Sequence, residues 1–219
     1  MPYFKNKNIN VLFIHIPKTG GTSLEEYFSS KFNIPLNNKS LYWFIEDEQL
    51  LNKNIEINSS LQHITYNQIV KYSKIFNINF NNIKIISIVR NPYERFVSDL
   101  FFFKLITTDS TKEEVFNILN NYLVSKCYDN HNIPQYKFIT NDKGEIIQNI
   151  HILKTESLTN DMINLGYTDF NLYKHVNNQR VNNNKLNYYN YLNNKSIKII
   201  NNFYHLDFIL FNYNKISAL

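Results

Sequence analysis

The chain has 219 residues, of which 43% are hydrophobic and 16% aromatic, a composition typical of a globular protein. With 4 glycines and 5 prolines it does not look linker-rich or multi-domain, so we expect a single domain over residues 1–219. One cysteine, Cys127, excludes an internal disulfide and a cysteine-based metal site. The net charge of +5 suits an anionic ligand, but the lysines are scattered, which disfavours a nucleic-acid-binding protein.

The amino-terminal region predicts no targeting or membrane segment. Residues 1–10 are polar, and the apolar run over 11–16 is too short for a signal-peptide core or a membrane span. We therefore expect a cytoplasmic protein without an integral membrane segment.

The first predicted unit is a strand, a loop and a helix. NVLFIHI, residues 10–16, is an uninterrupted apolar run, as in a strand that is buried on both faces. A loop over 17–21 precedes a helix over 22–32 with one apolar face. Residues 33–58 predict an irregular or short-helical segment.

The middle of the chain repeats this order. A helix begins near Tyr66, and IKIISIV, residues 83–89, predicts a second buried strand. Asn91 is a good N-cap and Pro92 suits the first helical position, so the next helix begins here and runs to about Ile106.

The last part of the chain predicts shorter elements. In order, these are a helix over 111–126, a strand pair over 136–154 that turns at 141–144, a helix over 156–165, a loop with one short helix over 177–194, and a helix over 196–211. Strands alternate with helices, which indicates a mostly parallel central sheet. The expected fold is α/β, a P-loop-like three-layer architecture with helices flanking the sheet.

HIPKTGGTS, residues 15–23, has the features of an anion-binding loop. Two glycines let backbone N–H groups approach an anion, the helix N-terminus adds partial positive charge, and the lysine adds a full charge. We call residues 17–23 the glycine loop. Its candidate binding residues are Pro17, Lys18, Thr19, Gly20, Gly21, Thr22 and Ser23. The alternative is an ordinary strand-to-helix turn that is capped by Thr22 or Ser23.

The position of the lysine disfavours a kinase or an ATPase. Lys18 precedes the glycines, whereas the common nucleotide-triphosphate loop, GxxxxGK[ST], has its lysine after them. In addition, the second strand ends at Arg90 and offers no aspartate for Mg²⁺. We therefore expect metal-free chemistry and no metal ligands.

Arg90 predicts a second anion site at the same edge of the sheet. Its planar guanidinium suits a phosphate, and Ser98 lies eight residues further on, in the predicted helix. A loop with a separate Arg/Ser site suggests a ligand with two separated phosphate groups. The alternative for Arg90 is an ion pair with Glu94 or Asp99, and for Ser98 an ordinary helix hydroxyl.

Together, HIPKTGGTS and VRNPYERFVS resemble the PAPS-dependent sulfotransferases, in particular the branch of heparan-sulfate and other carbohydrate O-sulfotransferases. Four later segments, QHITYNQIV, IPQYKFITNDKGEI, LKTESL and HVNNQR, each resemble a segment of the same family. Thr155 stands where an aromatic residue is expected before Glu156, so we assign no adenine contact to this region.

The resemblance implies that the glycine loop binds the 5′-phosphosulfate of 3′-phosphoadenylyl sulfate (PAPS) and that Arg90 and Ser98 bind its 3′-phosphate. A sulfuryl group would move to an acceptor hydroxyl, with PAP as the product and a glycan as the acceptor. Lys18 would stabilise charge on the leaving group. His63 is the candidate base, because it ends an element between the two motifs and imidazole titrates near neutrality.

The alternative for His63 is a capping or core histidine. We expect His15 to be a structural hydrogen-bonding residue beneath the loop. No spacing predicts a catalytic or metal role for the remaining histidines, His131, His151, His175 and His205. Two further segments are candidates. Trp43 with Glu46, Asp47 and Glu48 predicts an exposed acidic helix, with the lining of the acceptor cleft as the alternative. Asn177 and Arg180 are candidates to cover the bound nucleotide.

Three hypotheses remain open from the sequence. The leading one is an enzyme, a carbohydrate O-sulfotransferase. The second is a sulfotransferase that acts on protein tyrosine or a small alcohol. The third is a nucleotide-binding module that binds PAP without catalysis.

Overall fold

The computed structural model describes residues 1–42, 55–125, 128–173 and 187–217. Within them lies a four-stranded sheet with the strand order β1-β2-β3-β4. The strands are β1 (Tyr3–Lys5), β2 (Asn10–Ile14), β3 (Lys84–Val89) and β4 (Ile150–Lys154). β1 is antiparallel to β2, whereas β2, β3 and β4 are mutually parallel.

Helices flank this sheet, as expected. They are α1 (Gly21–Phe32), α2 (Tyr66–Tyr72), α3 (Pro92–Phe102), α4 (Lys112–Val124), α5 (Leu158–Asn164), α6 (Asn194–Phe203) and α7 (His205–Leu210). The predicted α/β architecture, a mostly parallel sheet between helices, is confirmed. Among the described residues, no helix combines the length and the apolar character that crossing a membrane requires.

The central strands β2 and β3 are buried on both faces, as their uninterrupted apolar runs predict. Val11 and Phe13 pack with residues of α1 and α5. Leu12 and Ile14, which point to the opposite face, belong to a cluster that includes α2 residues. A third cluster joins α3, α4, α6 and α7. The site described below lies where β2 and β3 end, beside this helical cluster.

Two strand expectations were wrong or incomplete. β1 was not predicted, because its three residues stand in a polar stretch; it forms by pairing with β2, with Tyr3 opposite Leu12. The predicted strand pair over 136–154 is reduced to one bridge between Thr140 and Ile146. Its second half is β4, which pairs in parallel with β3 because that edge of β3 offers a longer ladder.

Two helices differ from the expectation. α3 stops at Phe102 rather than near residue 106, and its C-cap is Phe103. The predicted helix over 196–211 is two helices, α6 and α7, which meet at Tyr204. The backbone there (φ −98°, ψ 23°) departs from the helical range, and the Tyr204 hydroxyl donates to the carbonyl of Asn132 (3.0 Å). This long-range contact is invisible to helical periodicity.

A buried carboxylate fastens α7 to the rest of the fold. Asp207 accepts hydrogen bonds from the backbone N–H groups of Gln135 (2.8 Å) and Tyr136 (2.9 Å). Burial raises the pKa of Asp207 to about 6. These two bonds hold the short 3₁₀ helix Gln135–Phe138 in place. The side chain of Gln135 also hydrogen-bonds the backbone N–H and carbonyl of Arg90.

Replacing Asp207 should therefore destabilise the protein. Asp207→Leu leaves two buried N–H donors without acceptors, and we expect the free energy of unfolding to fall by about 3 kcal/mol. Asp207→Asn keeps one acceptor oxygen and should lose less. Urea denaturation measures both, with Asp142→Asn at an exposed turn position as the control. Wild-type stability of Asp207→Leu would contradict this account.

Candidate active site

Parallel pairing brings three chain segments together at the carboxyl ends of β2, β3 and β4. After β3, the Nη1 atom of Arg90 donates to the carbonyl oxygen of Lys18 (3.3 Å). After β4, the hydroxyl of Thr155 donates to the carbonyl oxygens of Thr19 (2.6 Å) and Val89 (3.2 Å). The glycine loop and Arg90 thus share one edge of the sheet.

The two glycines of the loop are needed for different reasons. Gly20 has a left-handed backbone (φ +88°), which favours glycine. A Cβ atom on Gly21 would lie 2.4 Å from Nε2 of His15, so only glycine fits against that ring. The N-cap of α1 is Gly20, not Thr22 or Ser23. Thr22 and Ser23 are exposed in the first turn, and the helix terminus has no side-chain cap.

The remaining loop residues divide into buried supports and one half-buried cation. Pro17 and Thr19 are buried, and the hydroxyl of Thr19 donates to the carbonyl of Ile16 (2.8 Å). Lys18 is half-buried and has a left-handed backbone (φ 64°). Its Nζ atom lies 4.2 Å from the centroid of the Phe102 ring. The buried residues on either side of Lys18 therefore hold its backbone in place.

Arg90 combines an ion pair with an unsatisfied donor. Its Nη2 atom donates to Glu94 (3.2 Å), the first of the two partners considered above. Its Cζ atom lies 4.9 Å from the ring centroid of Tyr188, which sequence reasoning missed. The Nε atom is buried and hydrogen-bonds to no atom among the described residues. Ser98 is half-buried on α3.

Arg95 is a site residue that the sequence analysis did not single out. Its side chain is buried and donates to the carbonyl oxygens of Pro17 (3.0 Å), Ile133 (3.0 Å) and His131. One turn later, Asp99 accepts from His131 Nδ1 (2.7 Å) and also binds a tyrosine hydroxyl. The sequence did contain a signal for these residues. Arg95 and Asp99 are four residues apart on the apolar face of the predicted helix, and charged residues are buried almost only when they are paired.

His63 is buried at the end of a single 3₁₀ turn, Leu61–His63. Its Nδ1 atom lies 2.7 Å from Oδ2 of Asp129. The hydroxyl of Ser60 donates to the same oxygen (2.9 Å), and the side-chain amide of Asn130 donates to the carbonyl of His63 (2.9 Å). His63 is thus a buried and fully oriented imidazole.

Two other imidazoles connect His63 to the glycine loop. On one side, its ring centroid is 5.1 Å from that of His15, which packs against Gly21. On the other side, it is 4.8 Å from the ring of His131. The His131 ring stacks on Phe102 at 5.2 Å, beneath the lysine of the loop. His131 thus lies between the candidate base and the ring beneath the loop lysine, a position that its spacing in the sequence did not indicate.

The protonation of His63 follows from its surroundings. Burial holds the pKa of His63 at about 3, although the hydrogen bond with Asp129 acts in the opposite direction. Burial also acts to raise the pKa of Asp129, but bonds from His63 and Ser60 hold it below its usual range. At neutral pH, Asp129 is a carboxylate and can only accept, so Nδ1 of His63 carries the hydrogen. Its Nε2 atom then has a free lone pair.

His63, Asp129 and His131 are close enough to be considered as metal ligands, since their candidate ligand atoms lie within 4.8 Å of one another. However, His63 and Asp129 face each other directly at 2.7 Å. Two ligands of one tetrahedral zinc ion lie about 3.3 Å apart, given metal–ligand bonds near 2.0–2.1 Å. The geometry is that of hydrogen-bonded pairs, and we assign no metal ligands here.

Comparison with known proteins decides the family. The sequence model described as the sulfotransferase family matches residues 1–214. The chain belongs to the sulfotransferase family. Neither the curated proteins nor the solved structures compared with it contain a match. Membership supports sulfuryl transfer as the general reaction and agrees with the observed sheet.

Some expectations for this sulfotransferase concern residues that the structure does not describe. These are Trp43, Glu46, Asp47, Glu48, Cys127, His175, Asn177 and Arg180. Of the other histidines, His151 is exposed on β4, and His205 lies 2.6 Å from the Nζ atom of Lys215.

The neutral state of His63 predicts that this sulfotransferase loses stability in acid. Between the ordinary histidine pKa of 6.5 and about 3, the unfolded chain binds a proton that folded His63 does not. The free energy of unfolding should therefore fall as the pH drops through this window. His63→Gln should show a shallower fall between pH 6.5 and about pH 5.

Urea denaturation over a pH series tests this prediction. His151→Gln, at an exposed position, is the matched control and should keep the wild-type slope. Equal slopes for His63→Gln and the wild type would show that His63 is not held neutral by the fold.

Proposed function

We propose that this sulfotransferase moves a sulfuryl group from PAPS to a hydroxyl of a carbohydrate by metal-independent in-line transfer. The observation that carries the proposal is the hydrogen bond from Arg90 to the carbonyl of Lys18 (3.3 Å). It joins the two motifs at one edge of the sheet. PAPS has two anionic groups, a 5′-phosphosulfate and a 3′-phosphate, and the site has two cationic side chains from separate elements.

The glycine loop suits the phosphosulfate end of the donor. Its backbone leads into the uncapped N-terminus of α1, where N–H groups and partial positive charge favour an anion. Thr22 and Ser23 are exposed there and offer hydroxyl donors. Arg90 suits the 3′-phosphate, because its buried Nε donor gains a partner when an anion binds. We assign Ser98 to the same phosphate.

The proposed chemistry uses one cation and one neutral base. The acceptor oxygen attacks sulfur, and the bond between sulfur and the bridging oxygen breaks, with its electron pair leaving on the phosphate of PAP. Lys18 stabilises the charge that develops on this oxygen. His63 takes the hydroxyl proton on Nε2. Because the transferred group carries a single negative charge, the reaction has less need of a divalent cation than phosphoryl transfer has.

The carbohydrate acceptor rests on the likeness of the motifs to that branch of the family. Phe102 is 49% exposed beside the loop, but its ring contacts both Lys18 and His131, so it does not distinguish a pyranose from a phenol. A tyrosine or small alcohol acceptor is therefore the second candidate.

Transfer of radioactive sulfate tests the proposed function. The protein is incubated with ³⁵S-labelled PAPS and panels of glycans, tyrosine peptides and small alcohols, with EDTA present. We expect label on at least one glycan, and a loss of about 10²–10³-fold in kcat for Lys18→Ala, as for removal of a transition-state donor. Binding of PAP without transfer to any acceptor would favour the non-catalytic module instead.

The role of Arg90 has a separate test. Arg90→Ala should weaken PAP binding by about 10–100-fold, because a hydrogen bond to a charged group contributes about 1.5–3 kcal/mol. Binding of adenosine 5′-phosphate, which lacks the 3′-phosphate, should change little. Calorimetry measures both, with Lys71→Ala as an exposed control. Equal losses for the two nucleotides would refute the contact with the 3′-phosphate.

A further inference from the structure

The carboxylate of Asp129 is held by three donors from one short turn. Its Oδ1 atom accepts from the backbone N–H of Ser60 (2.6 Å). Its Oδ2 atom accepts from the hydroxyl of Ser60 (2.9 Å) and from Nδ1 of His63 (2.7 Å). Ser60 donates two of these three hydrogen bonds, through its N–H and its hydroxyl, and His63 donates the third. The carboxylate of Asp129 is therefore held in one position, facing the imidazole.

The imidazole is fixed as firmly as the carboxylate. The rings of His15 and His131 meet His63 edge-on, at interplanar angles of 80° and 87°. Each is anchored through its own Nδ1, His15 to Glu25 (2.6 Å) and His131 to Asp99 (2.7 Å). The two flanking rings therefore restrict rotation of His63 about its side-chain bonds. Among the described residues, the titratable groups around Asp129 and His63 are these two histidines with their carboxylates and the buried amino group of Met1, which donates to the carbonyl of Leu61 in the same turn.

This arrangement decides which nitrogen of His63 can act as a base. A neutral imidazole has one N–H and one lone pair, and a fixed acceptor at Nδ1 keeps the hydrogen there. The lone pair is then on Nε2. Without the carboxylate, the two tautomers would interconvert, and the fraction with Nε2 available would fall.

We propose that Asp129 is a positioning residue for His63, which it holds with Nδ1 protonated and Nε2 ready to take the acceptor proton. The proposal rests on the sulfuryl transfer proposed above. When the acceptor proton moves to Nε2, the imidazole becomes a cation with both nitrogens protonated. The carboxylate of Asp129, 2.7 Å from Nδ1, then offsets this positive charge. The oxygen–sulfur bond forms as the bridging oxygen leaves with its electron pair on PAP.

Asp129→Asn tests the proposal with almost no change in shape. An amide can donate to Nδ1, which favours the opposite tautomer with the hydrogen on Nε2. We expect kcat to fall by about 10²–10⁴-fold, the usual contribution of a general base, while the Kd for PAP changes less than twofold. Asp169→Asn is the matched control, because its carboxylate pairs with Tyr27 and Lys31 rather than with a histidine. That variant should keep wild-type kcat.

The pH profile distinguishes positioning from a purely structural role. The carboxylate of Asp129 favours the protonated form of His63. Its removal should therefore move the acid limb of the kcat profile to lower pH, whereas loss of packing alone would lower kcat without moving that limb. Ser60→Ala removes one of the two Ser60 bonds to the carboxylate and should lower kcat by a few-fold. It keeps the proposal testable if Asp129→Asn does not fold.

A readout that needs no turnover separates this proposal from the proposed function. In ¹⁵N-histidine NMR, with the His63 signals assigned by comparison with His63→Gln, we expect Nδ1 of His63 to carry the hydrogen in the wild type and Nε2 in Asp129→Asn. A wild-type His63 protonated on Nε2, or wild-type kcat in folded Asp129→Asn, would overturn the positioning role. Absence of any transfer by the wild type would overturn the proposed function. The NMR measurement would still show whether Asp129 holds the hydrogen of His63 on Nδ1.

Discussion

The buried guanidinium of Arg95 is the interaction on which the arrangement of the site depends. It donates to the backbone carbonyls of Pro17 and Ile133, each at 3.0 Å, and to that of His131. A buried cation without partners would cost several kcal/mol, so these three carbonyls have to converge on it. The glycine loop and the segment around His131 are thereby fixed to the same helix, α3.

The next turn of α3 extends this constraint to the candidate base. Asp99 binds Nδ1 of His131 at 2.7 Å, and the His131 ring lies against His63. The same helix begins directly after Arg90. One helix therefore has Arg90, the proposed ligand of the 3′-phosphate, just before its N-cap and supports the imidazoles along its buried face. Movement of α3 would displace the loop, the arginine and the base together.

The site combines two cationic side chains with one neutral imidazole. Lys18 is half-buried, and the mostly buried guanidinium of Arg90 pairs with the carboxylate of Glu94. His63 is buried, and burial keeps its pKa at about 3. On the proposed function, the negative charge of PAPS would raise this pKa. The base would then be strongest when the donor is in place.

Local sequence signals predicted much of the fold and part of the site. The apolar runs before Pro17 and Arg90 predicted β2 and β3, and the cap at Asn91 and the proline after it predicted the start of α3. The glycines predicted the loop, and His15 lies beneath it as expected, bonded to Glu25 and packed against Gly21. The resemblance of the two motifs predicted the family, which the match over residues 1–214 shows.

The sequence by itself determined β2, β3, the start of α3 and the glycine turn after β2, because strand pattern, helix caps and glycine turns act over a few residues. Only the tertiary structure decided that β4 pairs with β3 and that His63 meets Asp129, a residue 66 positions away. It also decided that His131 joins the site through Asp99, 32 positions distant. No periodicity links such residues. Their contact follows from the packing of whole elements and from the need of buried polar groups for partners.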